Sequence, residues 1–181
     1  VLTNKEWGLL QGHSGDAPAT IDCTYATTDG PDALRRAIAR VRQEAEQAVR
    51  EGRTELFLTD ENIGPDRVAI QMILAGAGVH THLVRKGLRS FASINVRSAE
   101  CLDTHYFAVL IGTGATTDNA YLAQEAIVDR HARGLFGPLS LDECVKWFRK
   151  AIDDGLLKIM SKMGIAVISS YRRGYNFEAV G

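Results

Sequence analysis

Three carboxylates stand where α/β proteins often place their ligand sites. Asp22, Asp60 and Glu61 lie at or just after the ends of two predicted strands, and ligand crevices border the carboxyl ends of such strands. Carboxylates there can act as general acids or bases. No histidine, lysine or nucleophile accompanies them at a recognisable spacing, and carboxylates after a strand often cap the next helix. Helix capping is therefore favoured over catalysis.

A second candidate is the histidine pair in His80-Thr81-His82. In an extended segment both imidazoles could reach one metal ion, with His105 as a third ligand of a zinc site. In the helix that we predict here, residues two apart do not face each other. No carboxylate or cysteine follows at ligand spacing, so packing or hydrogen bonding is favoured and no metal ligand is assigned.

Two further segments could contact a phosphate. The backbone N–H groups of Gly112-Thr113-Gly114-Ala115-Thr116-Thr117 could cradle an anion. The segment lacks both glycine-rich nucleotide-binding spacings, so the end of a helix is favoured. Lys158 and Lys162, one helical turn apart, could hold a flavin phosphate or form a surface stripe, and the stripe is favoured. No catalytic or cofactor-binding residue is assigned.

The composition excludes some classes of protein. Lys and Arg number 21 against 22 Asp and Glu, a formal charge of -1, so no overall field attracts nucleic acid or an anionic membrane. The apolar runs are far shorter than the ~20 residues needed to cross a bilayer. We expect a globular protein that contacts neither nucleic acid nor a membrane.

The cysteines indicate a reducing compartment. Cys23, Cys101 and Cys144 are odd in number and far apart, which argues against a disulfide framework. They form no clustered signature of an iron–sulfur site. We predict that all three are buried packing residues.

Strand and helix signals alternate along the chain. Strands are predicted at residues 20–25, 55–60, 91–96 and 165–170, with a short or irregular one after Thr116. Helices are predicted from Pro31 to Gly52, over 68–84, from a Ser98 cap to about 111, and around 121–128. Strand, helix and strand in repetition indicate a mainly parallel sheet.

The two ends of the chain have their own signals. Residues 1–18 mix glycine, proline and polar residues without periodicity, which predicts a loop leading into the domain. Ser140 and Glu143 form a capping box, so a helix is predicted from 141 toward 154. Gly155 either ends this helix or is spanned by a further turn, and Gly164 precedes the last strand.

The resulting prediction is a single α/β domain over residues 1–181, with alternating strands and helices around a mainly parallel sheet. The units are too few for a closed eight-stranded barrel. We therefore expect an incomplete, (β/α) barrel-like arrangement.

Blocks of sequence along the whole chain resemble the central domain of the glutamate synthase large subunit, in that family's order. They are Ile21-Asp22-Cys23-Thr24, Leu58-Thr59-Asp60, Ala77-Gly78-Val79-His80-Thr81-His82-Leu83, Lys86-Gly87-Leu88-Arg89, His105-Tyr106-Phe107-Ala108-Val109-Leu110-Ile111-Gly112, Tyr121-Leu122-Ala123-Gln124-Glu125, Gly155-Leu156-Leu157-Lys158-Ile159-Met160-Ser161-Lys162-Met163-Gly164-Ile165 and Phe177-Glu178-Ala179-Val180-Gly181. The resemblance implies a fragment of that family, the C-terminal part of the central domain, in which residues 165–181 lead toward the FMN-binding domain.

The resemblance also implies a function. The family hydrolyses glutamine at an N-terminal cysteine, passes ammonia through a tunnel, and makes glutamate from 2-oxoglutarate at FMN beside a 3Fe-4S cluster in the cytoplasm, here of a bacterium. The implied role of this segment is structural: it links the amidotransferase and FMN sites and helps to form the ammonia tunnel. The implied partners are those two domains of the same polypeptide and a small subunit or ferredoxin. The sequence carries neither the family's flavin motif nor its cysteine triplet, so no cofactor is expected in the segment itself.

Two alternatives remain open on the sequence. One is a free-standing small α/β enzyme or phosphate-binding module that uses Asp22, Asp60 and the loop between Gly112 and Ala115. The other is a catalytically silent homologue of the central domain that serves in assembly.

Overall fold

A sheet of four parallel strands lies at the centre of the fold. The computed structural model describes residues 1–13, 18–172, 174, 176 and 177. The sheet order is β1 (Ala19–Asp22), β3 (Glu55–Thr59), β5 (Ser93–Arg97) and β6 (Thr117–Asn119). A separate antiparallel pair consists of β2 (Thr24–Ala26) and β4 (Arg67–Ala69). The predicted parallel α/β fold is confirmed.

Helices make the crossovers that parallel pairing requires. The crossovers between the parallel strands are made by α2 (Ala33–Arg50), α3 (Met72–Arg85) and α4 (Thr104–Gly112), with a 3-10 turn at Arg89–Phe91 before β5. Outside the strands lie α1 (Asn4–His13) before β1 and, after β6, α5 (Tyr121–Ala132), α6 (Leu141–Lys162) and α7 (Ile168–Tyr171). Over the described part of the chain the sheet stays open and does not close into a barrel. Among the same residues, no helix is both long and apolar enough to cross a membrane.

The two faces of the sheet differ in character because strand residues alternate between them. Leu58 and Val96 are paired neighbours, and both are fully buried in the core formed with α2, α3 and α4. Phe57 belongs to the opposite face, where the ring of Trp7 in α1 meets it edge-on at 5.2 Å. One face is therefore apolar and covered by α2, α3 and α4, whereas the other is more polar and meets α1.

The predicted strand 20–25 is divided between two sheets at Cys23. The Cys23 amide donates to the Thr59 carbonyl at 2.8 Å, and its carbonyl accepts from the Ile70 amide at 2.8 Å. The chain therefore leaves the parallel sheet after Asp22 and pairs with β4 from Thr24 onward. A periodicity of two continues through this switch, so the sequence does not reveal it.

The helix predicted after Pro31 is α2, and its end at Gly52 is confirmed by a positive φ of 88°. Its core face is a strict four-residue repeat of Ala37, Val41, Ala45 and Val49. Leu34 lies outside this repeat and is 38% exposed. The small alanines let α2 lie close to α3.

The helix predicted over 68–84 begins later than expected. Residues Arg67–Ala69 form β4, paired with β2, and α3 starts at Met72. The tertiary partner overrides the helical pattern at Val68. The predicted stop is confirmed, since α3 ends at Arg85 and Gly87 has φ of 70°.

The predicted loop over residues 1–18 is wrong at Asn4–His13, which form α1, whereas residues 14–17 lie outside the described part of the chain. A capping box begins this helix: the Glu6 amide donates to Thr3 Oγ1 at 3.2 Å, and the Thr3 amide donates to Glu6 Oε2 at 2.8 Å. Thr3 and Glu6 have the spacing that signals a helix start. This signal was present in the sequence and was missed because Gly8 and Gly12 obscure the periodicity.

The cap predicted at Ser98 is also wrong. Helix α4 begins at Thr104, and the Asp103 carboxylate caps it by accepting from the Tyr106 amide at 2.9 Å. Ser98 instead donates its hydroxyl to Asp60 at 3.0 Å. Both are good cap residues, and only the tertiary contact distinguishes them.

The C-terminal half keeps its predicted helices and loses its last strand. Strand β6 and helix α5 follow Thr116 as predicted, with α5 extending to Ala132. The capping box of Ser140 and Glu143 begins α6, which is confirmed and continues through Gly155 to Lys162. Gly164 has φ of 70°. The predicted strand 165–170 is wrong, since residues Ile168–Tyr171 form α7 and Tyr171 is buried against α4, donating to the Ala108 carbonyl.

Gly155 is spanned by α6 because it lies against the start of α4. A Cβ at this position would lie 2.5 Å from Thr104 Cγ2, a distance that forces the two helices apart. The glycine therefore serves close helix packing rather than helix termination.

We predict that Gly155→Ala destabilises the fold by about 1–3 kcal/mol through overpacking, although alanine is the better helix former by about 1 kcal/mol. The matched control is Gly8→Ala in α1, where nothing lies within 4 Å of the added Cβ. The control is expected to be neutral or stabilising. Urea unfolding of the 181-residue chain measures both, and equal stabilisation by the two substitutions would contradict the packing role.

Candidate functional site

The polar face of the sheet is the candidate functional surface. Parallel sheets usually bury both faces under helices. Here the register places Thr20, Phe57, Asn95 and Thr117 in one row across the four strands, and only Phe57 is apolar. We call this row and its neighbours on the same side the polar sheet face.

Side chains of the polar sheet face bond to one another. The Asn95 amide Nδ2 donates to Glu55 Oε2 at 2.7 Å, and Thr117 Oγ1 donates to Asn95 Oδ1 at 2.7 Å. Asn95 is 1% exposed, so these bonds satisfy a buried amide. The row presents neutral polar groups that can bind or support a polar molecule but carry no nucleophile.

Asp60 fastens the carboxyl end of β3 to the segment after β5. Its carboxylate accepts from the Ser98 hydroxyl at 3.0 Å and from the Ala99 amide at 3.0 and 3.1 Å. Burial raises the pKa of Asp60 above its ordinary value, and the hydrogen bonds from Ala99 and Ser98 oppose this effect. Asp60 is fully buried, so it holds two chain segments together and does not face a solvent-filled crevice.

Arg97, at the end of β5, contacts residues of several helices, strands and loops. Its Nη1 donates to Asn119 Oδ1 at 2.7 Å, and its Nε lies 2.8 Å from Glu61 Oε1. The guanidinium also lies 5.0 Å from the ring centroid of Tyr121 and 6.0 Å from that of Trp7. Glu61 is thereby an ion-pair partner. Sequence analysis missed Arg97, whose one signal was a charge at the end of an apolar strand.

Asp22, at the end of β1, belongs to a local turn. Its Oδ1 accepts from the amide and hydroxyl of Thr24 at 2.9 and 2.8 Å, and its Oδ2 accepts from Arg67 at 2.9 Å. Burial raises the pKa of Asp22, but the hydrogen bonds from Thr24 and the charge of Arg67 outweigh burial and lower it. An ionised, hydrogen-bonded Asp22 is a poor general acid.

The structure does not bring together the three parts of the free-standing enzyme. Asp22 and Asp60 follow adjacent strands at the carboxyl edge of the sheet. The loop between Gly112 and Ala115 precedes β6 and lies at the amino edge, where the Thr116 amide donates to the Ile94 carbonyl at 2.7 Å. A five-residue strand is about 16 Å long. The loop and the two carboxylates are therefore at opposite edges, and this alternative is not supported.

The loop at the amino edge ends a helix, as the favoured interpretation predicted. Helix α4 ends at Gly112, and the Gly114 amide donates to the Ile111 carbonyl at 3.0 Å. Gly114 has φ of 123°, and a Cβ there would lie 2.5 Å from His80 Cγ. The glycine makes room for a buried histidine.

A buried arginine links several chain segments at the amino edge of the sheet. Arg89 donates from Nε to His80 Nδ1 at 2.9 Å and from Nη2 to the Gly114 carbonyl at 2.8 Å. His80 must keep a lone pair on Nδ1 to accept this bond. The 3-10 turn, α3 and the loop before β6 are thereby tied together.

The histidines do not form a metal site. His80 faces Arg89, whereas His82 lies 2.6 Å from Glu46 of α2 through Nε2. His105 packs near the ring of Phe177. Among the described residues, no group of three or more His, Cys, Asp or Glu side chains could hold a metal ion. The favoured prediction of packing and hydrogen bonding agrees with these contacts.

The cysteines are buried and free, as predicted. Burial raises the pKa of the Cys23 thiol to about 12 and raises that of Cys101 further. Such thiols are not nucleophiles at neutral pH.

The two lysines considered for a flavin phosphate lie on the surface. Lys158 and Lys162 are both exposed on α6, which is the arrangement expected of a surface stripe.

Asp118 is a buried carboxylate that sequence analysis missed. It pairs with Val96, which places its side chain on the apolar face of the sheet. It is 1% exposed, and its Oδ1 has no hydrogen-bond partner among the described residues. Burial raises the pKa of Asp118 to about 7, although the positive charge of Arg172 lowers it.

Comparison with known proteins gives a consistent result. The family model described as the glutamate synthase central domain matches residues 1–181. The chain is 62% identical over 181 residues to the NADPH glutamate synthase large chain of Azospirillum brasilense, covering 100% of this chain and 12% of that protein.

More distant relatives carry related names. The chain is 40% identical over 183 residues to the NADPH glutamate synthase large chain of Bacillus subtilis, covering 100% of this chain and 12% of that protein. It is 38% identical over 174 residues to the ferredoxin-dependent glutamate synthase of Pyropia yezoensis, covering 89% of this chain and 11% of that protein. The chain thus spans about one eighth of the length of the curated relatives that it matches.

Asp118 is expected to make stability pH-dependent. Its folded pKa of about 7 lies above the ordinary value of 3.8, so the folded state binds the proton more tightly than the unfolded state. The contribution of Asp118 to stability is therefore fully present below about pH 4 and is lost as the pH rises toward 7. We predict that Asp118→Asn removes this decline, so that its advantage over wild type grows between pH 5 and pH 8 by on the order of 1–3 kcal/mol.

Urea unfolding of the 181-residue chain at pH 5 and pH 8 measures this difference. Asp129→Asn is the control, because Asp129 is an exposed carboxylate on α5 paired with Arg133. The control should leave the pH dependence unchanged. An Asp118→Asn variant with the wild-type decline would show that Asp118 is not the titrating group.

Proposed function

The chain belongs to the glutamate synthase central domain family, and we propose that it is the structural central domain of a glutamate synthase large subunit, a polypeptide that makes glutamate from glutamine and 2-oxoglutarate. The observation that carries the proposal is the match to the family model over residues 1–181. The chain spans only 12% of its Azospirillum relative. The chemistry is accordingly assigned to the rest of the polypeptide.

The contacts of the polar residues support a structural role. Asp60 and Arg97 are engaged with neighbouring segments at the carboxyl edge, and Arg89 is engaged at the amino edge. Groups held this firmly position chain segments well but are poorly placed to exchange protons with a substrate. We assign them to the rigidity of a domain that keeps two distant active sites at a fixed separation.

The cofactors of the parent enzyme are proposed to lie in other domains. A 3Fe-4S cluster needs converging thiolates, whereas no such group is found among the described residues and the thiols are held protonated by burial. The described residues therefore do not fit the cluster. Lys158 and Lys162, the candidates for a flavin phosphate, are exposed on one helix face, so FMN is also assigned elsewhere.

The proposed partners are the amidotransferase and FMN-binding domains of the same polypeptide, with a small subunit or ferredoxin as the electron-donating partner. Exposed apolar side chains on α6 support contacts with neighbouring domains: Trp147 is 59% and Leu157 61% exposed. Large exposed apolar residues commonly mark such interfaces. Free, buried cysteines support a reducing location, for which we propose the bacterial cytoplasm.

The polar sheet face is the surface that we assign to the ammonia passage. Its row combines exposed Thr20 with buried Asn95 and half-buried Thr117, and these neutral groups can hydrogen-bond to ammonia without protonating it. An acidic wall would convert ammonia to ammonium. The uncharged row supports the proposal that this face guides ammonia between the two sites.

The intact mass of the native polypeptide tests the assignment. An antibody raised against this segment should capture a polypeptide many times larger than 19.8 kDa, because the matched relatives are about eight times as long. A captured mass near that of this segment would contradict the proposal. Stoichiometric FMN retained by the isolated segment would likewise contradict the scaffold role.

Coupling between the two active sites tests the passage. In the full-length enzyme, Thr20→Phe should lower the glutamate formed from 2-oxoglutarate per glutamine hydrolysed by roughly twofold or more, while glutamine hydrolysis itself continues. Steady-state assays of both products measure the ratio, and Thr20→Ser is the matched control with an unchanged ratio. An unchanged ratio in Thr20→Phe would remove the polar sheet face from the passage.

A further inference from the structure

Three arginines converge on a pocket that the proposed function does not use. The pocket, of about 280 Å³, lies between the β2–β4 ribbon and the first turns of α2. Its charged lining residues are Arg36, Arg40, Arg67 and Asp29. Since a liquid water occupies about 30 Å³, the space admits a small ion with part of its hydration shell.

Backbone carbonyls hold two of the guanidinium groups in place. Arg40 Nη2 donates to the carbonyls of Asp22 and Thr24 at 2.8 and 2.9 Å. Arg67 donates from Nε to Thr24 Oγ1 at 2.8 Å and from Nη2 to the Thr24 carbonyl at 3.2 Å. A carbonyl orients a guanidinium without neutralising it. Arg40 and Arg67 are therefore preorganised, and each keeps N–H donors for a ligand beside its ion pair with a carboxylate.

The pocket lining itself carries more guanidinium groups than carboxylates, because the carboxylates that pair with two of the arginines lie outside the lining. Arg67 pairs with Asp22 at 2.9 Å and Arg40 with Glu44 at 2.9 Å. Arg36 bonds to the carbonyl of Asp29 and forms no ion pair among the described residues. Three cations thus face one lining carboxylate.

The start of α2 adds to this positive field. Ala33, the first residue of the helix, lines the pocket, and the N-cap residue Asp32 makes no side-chain capping bond. The Ala33 amide donates to the Gly30 carbonyl at 3.1 Å, and the amino end of a helix carries a partial positive charge. Arg36 and the start of α2 lie on the same side of the pocket, and both make the electrostatic potential inside it more positive.

We propose that this pocket binds a small oxyanion, a carboxylate or phosphate group, held by Arg36, Arg40 and Arg67. Guanidinium groups present paired N–H donors that match the oxygens of either group. A cation is repelled, and an uncharged apolar molecule would leave these donors unpaired. The proposal does not depend on the enzyme's activity, because the pocket lies outside the polar sheet face.

The test uses the full-length polypeptide that contains this chain and a local readout. Hydrogen exchange of the peptide 24–37 is followed during titration with inorganic phosphate and, separately, with succinate, each at constant ionic strength against chloride. Either ion should produce saturable protection of this peptide. Protection by phosphate alone or by succinate alone identifies the ligand class, and protection by neither overturns the proposal.

The variants separate a built site from diffuse charge. Arg36→Gln should weaken the titration about tenfold while leaving the melting temperature unchanged, since its one bond in the described structure is to an exposed carbonyl. Arg35→Gln removes the same charge from the next residue of α2, which is 88% exposed and outside the pocket. It should change the affinity less than twofold. Equal weakening by the two variants would overturn the proposal.

Discussion

Parallel pairing of β3 with β1 on one side and β5 on the other is the constraint on which the rest of the structure depends. A parallel neighbour cannot be reached through a hairpin, so each step across the sheet needs a helix. The apolar face of the sheet is then covered by helices that have an apolar face of their own, such as the repeat that includes Val41 and Val49 in α2. The carboxyl ends of the four parallel strands lie at one edge of the sheet. Polar residues that follow these strands are therefore brought close together.

At each edge of the parallel sheet, a buried ionisable residue links two chain segments. Asp60 joins β3 to the segment after β5 at the carboxyl edge, and Arg89 joins α3 to the loop before β6 at the amino edge. Burying a charge is costly unless its hydrogen bonds are made. Because these bonds form only when the segments are in register, the two groups favour one arrangement of the connections.

The same chemistry explains why the strand-end carboxylates serve as hydrogen-bond acceptors here. Carboxylates after strands suit acid–base work when one oxygen faces a crevice. The carboxylate of Asp22 instead accepts hydrogen bonds from Thr24, and that of Asp60 accepts them from Ser98 and Ala99. The surfaces left for interaction are the polar sheet face, the apolar side chains of α6 and the arginine-lined pocket. They suit contact with ions and neighbouring domains.

The sequence by itself determined the elements that local signals define. The capping box at Ser140, the four-residue repeat of α2 and the glycines after α2 and α3 each specify a boundary within a few residues of chain. The sequence blocks also identified the family. Alternation of strand and helix was enough for the parallel sheet, because few other topologies satisfy it.

Only the tertiary structure decided what depends on distant partners. It divided the strand at Cys23, moved a helix cap from Ser98 to Asp103, and made Gly155 a packing residue rather than a stop. It also placed Asp118 on the apolar face and set the Gly112 loop at the edge opposite Asp22. The physical reason is that register, packing clearance and desolvation arise between segments far apart in sequence, where no local pattern records them.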